Sequence, residues 1–144
     1  MVNGVKVEFL HPPRDKVSKG NLWGNDASLV LRLTYGEVSF LFPGDIESFA
    51  EGDILKTGVD LRCTVLKVPH HGSKTSSTPD FLNAVSPKFA VFTVRGGARP
   101  RLPNQGVVER YEAMGVKVLR SDRDGAITFI TDGKDLRVQT YLGK

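Results

Sequence analysis

Two apolar runs in this chain end in residues that bind metals or move protons. The first closes as Leu41-Phe42-Pro43-Gly44-Asp45, the second as Val65-Leu66-Lys67-Val68-Pro69-His70-His71-Gly72-Ser73. Both read as strands, and side chains leaving the ends of neighbouring strands can converge on one point. Carboxylate oxygen and imidazole nitrogen are donors for zinc or manganese, so Asp45 and His71 make a candidate half of a divalent-metal site. It is only half, because a catalytic zinc usually takes three protein ligands plus water. His70 is the third candidate for catalysis. If strand geometry persists through the histidines, one faces the site and its neighbour orients it or holds the loop.

Other polar residues carry blander readings. A Ser73-His71-Asp45 hydrolase lacks the Gly-x-Ser-x-Gly elbow, and Ser73 follows His71 too closely for easy triad geometry. Asn25, Asp26 and Ser28 read as a polar strand entry that can line the same site. Asp122 and Asp124 form a turn. His11, set between a leucine and two prolines, is structural. Cys63 is a small hydrophobe within a strand, and a single cysteine excludes a disulfide framework or a cysteine-based zinc site within one chain.

The elements that must position these groups follow from periodicity. Strands are expected at Val5–Leu10, at the hairpin Ser28–Tyr35 with Val38–Phe42, and at Arg62–Val68, Phe89–Val94, Val116–Leu119, Ala126–Ile130 and Leu136–Tyr141. Helices are expected at Ile46–Thr57, at Asp80–Val85 behind the Ser76-Ser77-Thr78-Pro79 start signal, and at Val107–Met114, closed by Gly115. Strands alternating with helices in the middle, and hairpins at both ends, predict one α/β (α+β) domain over residues 1–144. Its mixed sheet carries helices on one face. The other face is left apolar, to be covered by a second sheet, a partner or a further part of the protein.

With 144 residues, 40% hydrophobic and 25% charged, the chain is long enough for a real core. No apolar run reaches membrane-spanning length, and the first residues lack a signal-peptide layout. Lysine and arginine outnumber acids 20 to 16, a mild excess that favours polyanionic partners slightly. Arg95, Arg99 and Arg101 crowd one loop, and Arg120 and Arg123 flank another. On the rim of the metal site they would face phosphate.

Asn25-Asp26-Ala27-Ser28-Leu29-Val30-Leu31, Leu41-Phe42-Pro43-Gly44-Asp45-Ile46-Glu47 and Leu66-Lys67-Val68-Pro69-His70-His71-Gly72-Ser73-Lys74-Thr75-Ser76 stand in order along the chain, before Asp122-Arg123-Asp124-Gly125-Ala126-Ile127. Together they resemble the C-terminal half of the metallo-β-lactamase-fold domain of ComEC-type competence proteins, bacterial inner-membrane proteins of DNA uptake. The resemblance implies half of an αββα sandwich, with Asp45 bridging two metals, zinc or manganese, and His71 ligating one of them. His70 would lie beside them or face substrate.

The activity implied is metal-dependent hydrolysis of DNA phosphodiesters, degrading the strand that is not imported. Ser73, Arg95, Arg99, Arg101 and Arg123 would hold single-stranded or duplex backbone. The partners implied are DNA, the N-terminal half with its metal-binding cluster, and the membrane channel of the parent protein. A homodimer through the bare sheet face is an alternative cover. The chain departs from the family where many relatives carry Gly-His-Pro, for it reads Arg101-Leu102-Pro103, and Leu102 can neither ligate metal nor transfer a proton. The rival readings are a phosphodiesterase or esterase of the same fold acting on a small substrate, and a non-catalytic nucleic-acid-binding domain.

Overall fold

The computed structural model describes residues 1, 3–13, 16–17, 23–97 and 102–142. Strand β1 (Lys6–His11) leads through a 3-10 turn at Gly24–Ala27 to the hairpin of β2 (Val30–Tyr35) and β3 (Val38–Phe42). There follow helix α1 (Ser48–Lys56), strand β4 (Val65–Lys67), a 3-10 turn at Pro69–Gly72, helix α2 (Pro79–Val85), strand β5 (Phe89–Phe92), helix α3 (Gln105–Ala113) and strand β6 (Lys117–Arg120). A single helical turn, α4 (Ser121–Asp124), precedes the closing hairpin of β7 (Ile127–Thr131) and β8 (Leu136–Thr140). The six strands β1 to β6 pair in chain order; β1 to β3 are antiparallel, and β3 to β6 are parallel. The mixed sheet and the order of elements are those expected from the sequence.

Alternation sorts the side chains of the sheet onto two faces. Leu41, Leu66, Ala90 and Phe92 point one way and are buried with Ala50 and Ile54 of α1, Phe81, Leu82 and Val85 of α2, and Val107, Val108 and Tyr111 of α3. The helices therefore share one face, as parallel crossovers require. The opposite face carries Val7, Phe9, Leu31, Leu33, Phe40, Phe42, Val65 and Val91. Here β7–β8 lies as a third layer, with Phe129 edge-on to Phe40 and Phe89 at centroid distances of 6.0 and 5.6 Å. The hairpin tip is fixed by Glu37 N–H donating to the Gly133 carbonyl at 2.6 Å. A Cβ on Gly36 would sit 2.3 Å from that oxygen, so only glycine fits. Towards β1 the face stays bare, and Phe9 is 69% exposed.

Element boundaries shift by up to three residues from expectation, and two of the shifts bear on the site. Strand β4 spans only Val65–Lys67 instead of Arg62–Val68, so the chain has already left the sheet when it reaches the histidines. Helix α3 starts earlier than expected, because the Asn104 side chain caps it by accepting from Gly106 N–H at 3.1 Å. The start of α2 is as read, with Thr78 as cap and Pro79 in the first turn. Cys63 and His11 are buried, His11 Nε2 lying 2.9 Å from the Asp26 carbonyl oxygen.

Candidate metal centre

The carboxyl ends of parallel strands β3, β4, β5 and β6 open along one edge of the sheet, the usual place for a site in such a fold. Asp45 leaves β3, the Pro69–Gly72 turn leaves β4, Thr93 to Arg95 leave β5, and α4 leaves β6. The amino end of β2 returns to the same edge, where Ser28 Oγ accepts from Asp45 N–H at 3.2 Å. Gly44, with φ +63°, lets the chain turn there; a Cβ on it would lie 2.8 Å from Ser28 Cβ.

Asp45 and His71 meet. Oδ1 of Asp45 lies 3.6 Å from Nε2 of His71. The other ring nitrogen, Nδ1, is 2.6 Å from the Thr93 carbonyl oxygen. A carbonyl only accepts, so Nδ1 carries a proton, and in the neutral ring the lone pair is on Nε2, the nitrogen that faces Asp45. This is the arrangement that presents an imidazole to a metal, with the backbone fixing tautomer and ring orientation. A gap of 3.6 Å suits two donors that each approach one ion to about 2.0–2.2 Å. The two side chains thus fit adjacent positions of a coordination sphere and leave others to be filled. Among the described residues, no group of three or more His, Cys, Asp and Glu side chains converges on one point.

His70 goes elsewhere. Both histidines adopt left-handed backbone, with φ of 46° and 53°, so they follow turn geometry rather than strand alternation. His70 Nδ1 lies 3.2 Å from Glu47 Oε1, within ion-pair range but not aligned as a hydrogen bond. Glu47 also accepts from Thr75 Oγ1 at 2.9 Å and from the Asn25 amide at 3.3 Å. The Asn25 amide and then the Thr75 hydroxyl hold its carboxyl below the usual carboxylate range. Ser73 faces its own loop, its Oγ 3.0 Å from Thr75 Oγ1, and shows no hydrogen bond to His71 or Asp45. Asp26 is a remote cap for α1, accepting from Glu47 N–H at 2.8 Å and Ala50 N–H at 3.2 Å.

The basic loops share the edge. Arg95 and Arg123 are exposed, and Ser121 Oγ ties their loops by accepting from Val94 N–H and donating to Val94 O, both at 2.7 Å. Arg120 pairs with Asp122 at 2.7 Å and is not free for an anion. Asp124 accepts from Arg120 N–H at 2.6 Å, the turn role expected of it. Arg99 and Arg101 lie outside the described residues. Pro103 lies against Gly72, and Asn104 N–H donates to Gly72 O at 2.9 Å.

Sequence reasoning passed over three contributors. Lys67, the last residue of β4, places Nζ 3.6 Å from Asp45 Oδ1 and donates to Gly44 O at 3.3 Å. Burial pushes its pKa down, and the Asp45 carboxylate opposes that shift. A lysine ending an apolar strand was the available signal. Thr93 acts through its carbonyl, which no residue type announces. Glu51, buried in α1, accepts from Ser77 N–H at 2.6 Å and Thr78 N–H at 2.8 Å and so braces the loop behind the histidines.

No family model matches the chain. It is 40% identical over 128 residues to Competence protein ComA of Neisseria gonorrhoeae, covering 88% of this chain and 18% of that protein. It is 33% identical over 105 residues to ComE operon protein 3 of Bacillus subtilis (strain 168), covering 73% of this chain and 14% of that protein. This chain is a relative of competence proteins. It is also 32% identical over 118 residues to Uncharacterized protein YcaI of Escherichia coli (strain K12). The chain spans under a fifth of the length of these curated relatives. Among the described residues, no helix is long and apolar enough to cross a membrane.

Proposed function

We propose that this chain is the C-terminal half of a metallo-β-lactamase-like αββα domain within a larger membrane protein of DNA uptake. In the whole domain, Asp45 and His71 complete a divalent-metal centre that hydrolyses DNA phosphodiesters. The observation that carries the reading is the Asp45–His71 pair, 3.6 Å apart at the carboxyl edge of the sheet, with His71 locked in the ligand tautomer by Thr93. The likeness to competence proteins supports DNA as the substrate.

A bound zinc or manganese would supply hydroxide near neutral pH and neutralise charge on the phosphoryl oxygens. The chain's own part is to hold and orient. Asp45 and His71 offer ligands, the Thr93 carbonyl holds the His71 proton on Nδ1, and Arg95 and Arg123 draw the DNA backbone to the rim. The isolated chain offers two ligands and is expected to be catalytically silent. The N-terminal half brings the remaining ligands and covers the bare sheet face.

The test pairs this chain with a longer polypeptide that adds the upstream segment of its parent. Labelled single-stranded DNA and manganese should give no cleavage with the chain alone. The longer polypeptide should cleave, and Asp45→Ala or His71→Ala in it should abolish turnover. Robust cleavage by the isolated chain would overturn the half-site argument. DNA binding without cleavage, unchanged by either substitution, would favour a binding module instead.

A further inference from the structure

Lys67 sits where an ammonium is costly. It ends an apolar strand on the face that carries Phe40, Phe42, Val65 and Val91, and its side chain is only 20% exposed. One hydrogen-bond acceptor and one ion-pair partner hold it there, Gly44 O at 3.3 Å and Asp45 Oδ1 at 3.6 Å. That same Oδ1 is the atom 3.6 Å from His71 Nε2. One carboxylate oxygen is therefore faced both by a fixed positive charge and by the imidazole nitrogen that would share an ion with it. A divalent cation at that oxygen and an ammonium beside it repel. Lys67 is largely buried, while the Asp45 and His71 side chains stay 40% and 42% exposed, so solvent screens part of that repulsion.

We propose that Lys67 is the resident counter-cation of the site. It neutralises Asp45 in the metal-free chain, and a divalent ion must win the carboxylate from it. The proposal rests on reading Asp45 and His71 as ligands. It adds that metal affinity is held down by a competitor built into the strand. Gly44 O tethers the ammonium independently of Asp45, so once displaced it stays at the site's edge. There it is a point charge for an anionic oxygen of the substrate.

Manganese titration separates the possibilities, read by paramagnetic broadening of the His71 imidazole resonances. The wild-type chain is compared with Lys67→Met, Lys67→Arg and Asp45→Asn, each first checked for its fold by circular dichroism. Lys67→Met keeps most of the stem and removes the charge; Lys67→Gln replaces it if the methionine variant fails to fold. The expected result is manganese binding about tenfold tighter in Lys67→Met. Lys67→Arg should stay within about twofold of wild type, and Asp45→Asn should lose the broadening. Binding that Asp45→Asn abolishes but Lys67→Met leaves unchanged or weaker would overturn the role of Lys67 and leave the ligand reading standing. No broadening of His71 in any of the proteins, with manganese raised far enough to fill a weak two-ligand site, would overturn the ligand reading, and Lys67's role with it.

Discussion

His70 and His71 hold consecutive left-handed conformations, each costing an L-residue roughly 1–2 kcal/mol. The turn persists because it is over-determined: His70 N–H donates to Gly44 O at 3.1 Å and Ser73 N–H to His70 O at 2.9 Å. Gly72 closes it with φ +80°, and a Cβ there would sit 2.7 Å from both Phe92 Cε1 and Pro103 Cβ. Gly72→Ala should therefore cost about 2–4 kcal/mol in urea unfolding, well above an ordinary surface change.

Glu47 gives a pH signature. Its folded-state pKa lies below the ordinary value of 4.5, so its stabilisation is complete above that value and is lost as pH falls through the lower folded one. Melting temperatures of Glu47→Gln and wild type should converge below about pH 4.5, the wild type being the more stable above it. Equal pH profiles would contradict the role given to Asn25 and Thr75. At this scale the sequence revealed residue types at strand ends, which sufficed to foresee that Asp45 and His71 come together. It hid where His70 points, because two histidines carry no sign of a left-handed turn.

The helices stand behind the site and steady it. Asp26 caps α1 from across a loop, so Asp26→Ala should cost about 1 kcal/mol in unfolding experiments and speed amide exchange at Glu47 and Ala50. Glu51 matters more, since its removal strands two donors in the interior. Glu51→Ala is expected to cost about 2–5 kcal/mol, with early exchange of Ser77 and Thr78 amides; a change under about 1 kcal/mol would contradict the bracing role. Element order and sheet class were legible from the alternation of apolar periods, and the α2 start from Thr78-Pro79. The shortness of β4 was not, because Cys63, Thr64 and Val68, which flank the Val65–Lys67 ladder, are residue types that a strand also uses. Tertiary pairing with β3 and β5 sets that limit, and local propensity does not.

On the scale of the molecule, the asymmetry of the sheet matters most. One face is sealed by three helices and the other only partly, by a hairpin held through Phe129 and Gly133. Val7, Phe9 and Phe42 remain exposed on one continuous apolar surface. On its own, the chain should associate reversibly as its concentration rises in sedimentation velocity. Phe9→Glu should hold it monomeric at a stability cost within about 0.5 kcal/mol. The bare face could be read from alternation along the strands, whereas its partial closure depended on where the final hairpin folds back.

In the proposed site, Asp45 and His71 take one ion between them. Anomalous diffraction from crystals soaked in zinc or manganese tests it most directly. A peak bonded to both Asp45 Oδ1 and His71 Nε2 is expected. Peaks confined to other positions, at ion concentrations that saturate binding, would contradict it.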